Sequence, residues 1–151
     1  MKRRRLGKTG LLVSEIGFGG EWLERHPEQE GIDLIHYASA QGINILDCWM
    51  ADPKSRDIIG KGIQDNRSRW YIQGHIGSAW KDGQYFRTRD MRYVRPAFED
   101  LLARLQTDYI DLGMINFEGY SRRIDKINSV LGEYGIESLG HLLIMPVIIP
   151  V

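Results

Sequence analysis

Apolar residues recur along the chain with two alternating patterns. Three- and four-residue steps, which are typical of helices, occur in residues 28–40, 55–63 and 89–105. Short apolar runs, which are typical of buried strands, occupy residues 16–20, 43–47, 70–73 and 109–115. A strand–helix alternation with short links predicts parallel strands covered by helices. The pattern therefore predicts the α/β class.

The start of the chain shows a different pattern. Residues 4–6 and 11–13 flank a turn segment that contains Gly7 and Gly10. Glycine supplies the positive φ angles that a tight reversal needs. We therefore predict a β-hairpin ahead of the first parallel strand.

The pattern is weaker after residue 116. Apolar residues at helical spacing predict a fourth helix there: Ile124, Ile127, Val130 and Leu131. Residues 141–149 could add one more strand, and Pro146 and Pro150 restrict it to a sheet edge or to a disordered tail. Residues 142–151 are apolar but fall short of the ~20 residues that span a bilayer, so we expect no membrane anchor.

Composition and charge narrow the class of protein. The 151 residues are 42% hydrophobic and 26% charged, which is typical of one globular domain over residues 1–151. The 20 Lys and Arg residues balance 20 Asp and Glu residues. A nucleic-acid binder would show a basic excess, and the short cluster at residues 2–5 does not provide one. We therefore expect neither a nucleic-acid partner nor a membrane partner.

The single cysteine, Cys48, indicates the compartment. One cysteine excludes an intrachain disulfide and any metal site built from cysteine alone, and it favours a reducing environment. The basic start leads into Leu6 and Gly7 instead of the apolar core of a secretory signal. We therefore expect a cytoplasmic protein. Cys48 is a poor nucleophile candidate because the carboxylate of Asp47 beside it disfavours the thiolate.

Several segments resemble the aldo-keto reductase family. RRLGKTGLLVSEIGFG (4–19) resembles the N-terminal hairpin and first strand of the family. GINILD (42–47), SRDIIGKGI (55–63) and LLARLQTDYIDL (101–112) resemble its second strand, its second helix, and its third helix with the fourth strand. The matches cover about residues 3–117 in the family's order. The resemblance implies a (β/α)8 barrel of the TIM type, NADPH or NADH as the hydride donor, and reduction of aldehydes or ketones.

The resemblance also implies candidate catalytic positions. In the family a Tyr protonates the carbonyl oxygen, a Lys paired with an Asp assists it, and a His donates a hydrogen bond to the same oxygen. Asp47 matches the family Asp, whereas Asp52, His75 and Asn116 stand at the Tyr, Lys and His positions. The chain therefore resembles a divergent branch whose catalytic tetrad is substituted.

Two interpretations of these four residues are open. In the first, Asp47 and His75 form a carboxylate–imidazolium pair that donates a proton, and Asn116 donates a hydrogen bond to the carbonyl oxygen. Asp52 would need burial to keep a proton at neutral pH. In the second, His75 and Asn116 are partly buried polar residues without chemistry.

Other side chains are candidates for a pocket wall or for a metal site. Trp22 and Trp49 follow the first and second predicted strands, so we expect them to form an apolar wall of a substrate pocket. Asp47, Asp52 and His75 could ligate a metal ion chemically, but no two of them have the close helical spacing of a ligand pair. We predict no metal site.

The length of the chain leads to two hypotheses. An eight-unit barrel needs ~250 residues, and its phosphate site often lies after strands seven and eight. Four to five βα units would supply part of a substrate pocket without the main cofactor cradle. The first hypothesis is therefore a truncated or inactive NAD(P)H-dependent oxidoreductase homologue. The second is a non-enzymatic half barrel that self-associates or binds a partner through open sheet edges.

Overall fold

The computed structural model of the chain describes residues 1–48 and 51–115 and, for residues 147–150, the course of the backbone. Three helices are present in this part of the chain: α1 (Glu28–Ala40), α2 (Pro53–Ile63) and α3 (Met91–Leu105). Short 3-10 helices cover Leu23–Arg25 and Gln64–Arg69. The strands are β1 (Arg3–Arg5), β2 (Leu12–Ser14), β3 (Phe18–Gly19), β4 (Ile45–Cys48), β5 (Tyr71–Ile76), β6 (Ser78–Lys81), β7 (Gln84–Arg87), β8 (Leu112–Ile115) and β9 (Val147–Pro150).

The central element is a five-stranded sheet in the order β3-β4-β5-β8-β9. The first four of these strands are parallel: β3 pairs with β4, β4 with β5, and β5 with β8. This arrangement confirms the predicted α/β class, because parallel neighbours need the helical crossovers that the apolar pattern indicates. β9 differs in direction, since it pairs with β8 antiparallel. It lies at the edge of the sheet, where the missing N–H of Pro150 is tolerated.

The helices cover one face of the sheet, which we call the helix-covered face. Side chains alternate in β4, so that Leu46 and Cys48 are buried and Ile45 and Asp47 are only half-buried. The buried residues join one apolar core with the helices, and its largest fully buried members include Ile35, Ile58, Ile59, Ile72 and Leu101. The opposite face, which we call the inner face, carries Asp47 and the residues that pair with it.

Helices α2 and α3 approach each other closely at Gly60. A Cβ atom there would overlap the backbone carbonyl oxygen of Arg104. Ion pairs connect the same two helices. Arg56, which is only 2% exposed, donates to Asp100 Oδ2 at 2.8 Å, and Arg104 donates to Asp57 at 2.9 Å. The helix-covered face is therefore a tightly packed layer.

The predicted N-terminal hairpin is confirmed, since β1 and β2 pair antiparallel. Asn44, the residue before β4, attaches this hairpin to the sheet. Its Oδ1 accepts a hydrogen bond from the Ser14 backbone at 2.7 Å, and its Nδ2 donates to the Leu12 carbonyl at 2.9 Å. The hairpin is therefore anchored at the amino ends of the parallel strands, opposite their carboxyl ends.

The structure adds a second hairpin, β6–β7, that the apolar pattern did not predict. It follows β5 directly, and its strands pair antiparallel around Asp82 and Gly83, both of which have positive φ. The helical stretch predicted from residue 89 therefore begins as α3 at Met91, with the Asp90 carboxylate accepting from the Arg92 N–H at 3.0 Å. The fourth helix predicted around Ile124 lies outside the described residues. In the part of the chain that the structure describes, no helix is long and apolar enough to cross a membrane.

Candidate active site at the carboxyl ends of the strands

Strand register brings Asp47 and His75 together. Asp47 pairs with Gln73 across β4 and β5, and His75 lies two residues beyond Gln73 on the same face of β5. The His75 Nε2 atom lies 2.9 Å from Asp47 Oδ1. An ionised carboxylate can only accept, so Nε2 is the ring nitrogen that donates in this hydrogen bond. Of the predicted catalytic residues, these two are brought into contact.

The two partners differ in exposure. The side chain of His75 is 4% exposed and that of Asp47 is 36% exposed. The His75 Nδ1 atom is buried. The more exposed partner of the pair is therefore the carboxylate, which lies on the inner face.

Gln73 is a third member of this cluster. Its Nε2 donates to the same Asp47 Oδ1 atom at 2.7 Å and lies 3.9 Å from the Sδ atom of Met114 on β8. The sequence holds one signal for this contact, which is the spacing of Gln73 and His75 within a strand. Without the register between β4 and β5, that spacing could not indicate that Gln73 faces Asp47.

Asp52 has a structural role at the start of α2. Its Oδ1 accepts a hydrogen bond from the Ser55 N–H at 3.1 Å, and Pro53 occupies the first helical turn. This is the geometry of a helix N-cap. Its hydrogen bond thus goes to α2 and not to Asp47 or His75, and its suggested catalytic role stays a prediction.

Trp22 follows β3 at the same end of the sheet as Asp47. It has a left-handed backbone conformation, with φ 75° and ψ −3°, and its side chain remains exposed. The Arg25 guanidinium carbon lies 3.4 Å from the centroid of the Trp22 ring. One face of the indole is therefore covered by a cation. Trp49 and Asn116, the other predicted site residues, lie outside the described residues.

Cys48 lies beside Asp47 but points to the helix-covered face, where it is buried. Burial raises the pKa of its thiol to about 12, the Asp47 charge adds to this rise, and Arg56 opposes it. A thiol that keeps its proton at neutral pH is a weak nucleophile. The raised pKa supports the expectation that Cys48 is a poor nucleophile candidate, although burial raises it more than the neighbouring carboxylate does.

A groove of about 320 Å³ lies away from this cluster, between α2, α3 and β6. Its lining includes Arg56, Trp80, Arg92, Tyr93 and Arg104. The three arginines are paired with carboxylates of Asp100, Asp90 and Asp57, so their charge is already balanced. In the described ranges, no three His, Cys, Asp or Glu side chains come together as metal ligands.

Comparison with known proteins identifies relatives. No protein-family model matches the chain. The oxidoreductase YqkF of Bacillus subtilis is 30% identical over 152 residues, which cover 92% of this chain and 49% of that protein. The aldo-keto reductase YhdN of the same organism is 30% identical over 142 residues, which cover 88% of this chain and 43% of that protein. The chain thus spans about half the length, or less, of these curated relatives.

Solved structures give the same result for the fold. An aldo-keto reductase from Bacillus halodurans, in its holo form, matches with a TM-score of 0.75 at 28% identity over 88% of this chain and 46% of that one. An aldo-keto reductase from Klebsiella pneumoniae in complex with NADPH matches with a TM-score of 0.67 at 20% identity, over 87% of this chain and 46% of that one. At this identity the match shows a similar fold alone. The sheet and its helices therefore form part of a TIM-type barrel, as predicted.

Proposed function

Because the chain belongs to the aldo-keto reductase family, we propose that it supplies part of the active-site edge of an NAD(P)H-dependent oxidoreductase that acts on aldehydes or ketones. The family supports an oxidoreductase-like function. The proposal is carried by the 2.9 Å contact between Asp47 and His75 on adjacent strands. Catalytic groups of TIM barrels gather at this carboxyl end of the strands.

The residues of this cluster fit one end of a nicotinamide cofactor. Asp47 and Gln73 are half-buried polar groups on the inner face, and such groups can orient a neutral polar ring by hydrogen bonds. They carry no positive charge for the phosphates, which other residues would have to bind. When bound, the nicotinamide supplies the hydride. We therefore assign Asp47 and Gln73 to the nicotinamide end.

His75 is the proposed source of the proton for the substrate oxygen. In this proposal the imidazolium passes its Nε2 proton to Asp47, whose carboxyl group then protonates the substrate oxygen, which leaves a neutral imidazole beside a carboxylate. General acid catalysis by such a group contributes about 10²–10⁴-fold to a rate. Asn116 would donate a hydrogen bond to the same substrate oxygen. Asp52 remains a candidate near that oxygen, and Trp22 and Trp49 remain candidates for the pocket wall.

Thermal unfolding with cofactor tests this proposal. NADPH or NADH at 100 times its dissociation constant should stabilise the chain by roughly 2.7 kcal/mol, which raises the Tm by about 5–10 °C. Asp47→Asn should reduce this shift, whereas Asp33→Asn, on the exposed side of α1, should leave it unchanged. No shift with either cofactor at millimolar concentration would contradict cofactor binding by this chain.

A second proposal is a half barrel that self-associates or binds a partner. It is supported by β3, which lies at one edge of the sheet and is two residues long. Within the described ranges β3 pairs only with β4, so its other edge offers backbone groups to a further strand. The zero net charge of the chain provides little repulsion between copies. Light scattering at micromolar concentration and pH 7 should show association, and a monodisperse monomer would contradict this proposal.

A further inference from the structure

We propose that Gln73 is a positioning residue that holds Asp47 against His75, an inference that rests on the proposed function. Gln73 and Asp47 are direct partners across β4 and β5. Side chains of partner residues on parallel strands share a face and lie close together. The Gln73 amide is therefore placed beside the carboxylate by the backbone itself.

Both donors of the cluster reach one oxygen atom. Gln73 Nε2 lies 2.7 Å and His75 Nε2 lies 2.9 Å from Asp47 Oδ1. A carboxylate that accepts two hydrogen bonds at one oxygen cannot rotate without breaking both, and each is strengthened by the negative charge. Both hydrogen bonds that Asp47 accepts from described side chains therefore hold the same end of the carboxylate.

Met114 restrains the amide from the other side. Its Sδ atom on β8 lies 3.9 Å from Gln73 Nε2, so that the amide bridges the side chains of three neighbouring strands. A sulfur atom is a weak acceptor, which leaves the carboxylate as the dominant partner. An apolar residue would suit a strand at this position equally well. The polar amide therefore serves the geometry of Asp47 more than the packing of the sheet.

Nuclear magnetic resonance of the whole chain with 15N-labelled histidine tests this role. In the wild type we expect a His75 Nε2 proton that exchanges slowly with water, because it is buried and donates to a fixed carboxylate. Gln73→Leu should accelerate this exchange by about tenfold, since loss of a charge-assisted hydrogen bond frees the carboxylate to rotate. Tyr71→Phe, on the same face of β5 two residues earlier, should leave the exchange rate unchanged.

Gln73→Glu provides a second variant that keeps the size of the side chain. An ionised Glu cannot donate to Asp47, so the exchange should again be faster. Unchanged exchange in both variants, even with a lowered Tm, would show that Gln73 only packs the sheet and would overturn the proposal. The readout needs no cofactor. The two proposals can therefore fail separately. If the chain binds no NADPH but the Gln73 variants still speed exchange of the His75 Nε2 proton, the proposed function is contradicted and this inference stands.

Discussion

The helix-covered face and the inner face of the sheet differ in the burial and the polarity of their side chains. On the helix-covered face, Leu46, Cys48 and Ile72 are at most 1% exposed. On the inner face, Asp47 and Gln73 on the same strands are half-buried and polar. Adjacent residues of one strand thus have different roles, because α1, α2 and α3 pack on the helix-covered face, whereas the polar residues lie on the inner face.

Because of this difference, we expect residues of the helix-covered face to determine folding stability and residues of the inner face to determine binding. Burying an apolar side chain such as that of Ile72 contributes roughly 1.5–3 kcal/mol, whereas a partly exposed ion pair contributes at most about 1 kcal/mol. Changes on the helix-covered face should therefore lower the free energy of unfolding. Changes to Asp47 or Gln73 should alter mainly what the inner face can bind.

The largest effect is expected at Gly60, where α2 meets α3. Gly60→Ala places a Cβ against the backbone carbonyl of Arg104, which cannot move aside as a side chain could. We expect the two helices to separate at a cost of about 3 kcal/mol, even though Ala is the better helix former. Urea unfolding followed by circular dichroism measures this loss.

Gly19→Ala is the matched control on the inner face. Gly19 pairs with Asp47 across β3 and β4, and a Cβ there meets no atom within 4 Å. The free energy of unfolding should change by less than about 0.5 kcal/mol. Equal losses in the two variants would contradict the contrast between a packed and an open face.

A pH-dependent effect of intermediate size is expected from Cys48. Burial raises the pKa of its thiol from 9.0 to about 12 in the folded chain. The unfolded chain loses this proton above about pH 9 while the folded chain retains it, so stability falls as the pH rises from 9 towards 12. The expected loss is about 1 kcal/mol per pH unit, or about 2 kcal/mol between pH 9 and pH 11.

Cys48→Ala isolates this contribution from the other groups that titrate at high pH. Urea unfolding at pH 8, 9, 10 and 11 should give a steeper decline for the wild type than for the variant. Parallel declines would show that the thiol is not protected by the core. The same burial predicts that Cys48 reacts with iodoacetamide at pH 8 only when the chain unfolds.

The sequence allowed most of the helix-covered face to be predicted. The steps of apolar residues gave α1 over Glu28–Ala40, with the bounds that the structure has. The β6–β7 hairpin was missed although Asp82-Gly83 is a typical tight-turn pair between two short strands. Glycines such as Gly60 were not singled out, because only the distance between helices shows why a Cβ would not fit.

The site could be predicted only in part. The resemblance to the family indicated Asp47 and His75, which match its Asp and Lys positions at the ends of two strands. Gln73 was not predicted, because its role depends on which residue of β4 it faces. Asp52 was considered because it stands at the family's Tyr position, although Asp52-Pro53 ahead of an apolar helical stretch is also a typical helix start.

A smaller effect is expected from Asp52, the N-cap residue of α2. Asp52→Ala removes the acceptor of the Ser55 N–H and should lower the free energy of unfolding by about 1 kcal/mol. Asp52→Asn keeps an oxygen at the N-cap and should recover nearly all of this loss, because Asn caps helices as well as Asp. Urea unfolding of the three chains measures the difference. If Asp52→Asn were as unstable as Asp52→Ala, the charge of Asp52 and not its capping oxygen would matter. Asn cannot act as an acid. An Asp52→Asn chain of normal stability would therefore allow any catalytic role of Asp52 to be measured apart from its role as the N-cap of α2.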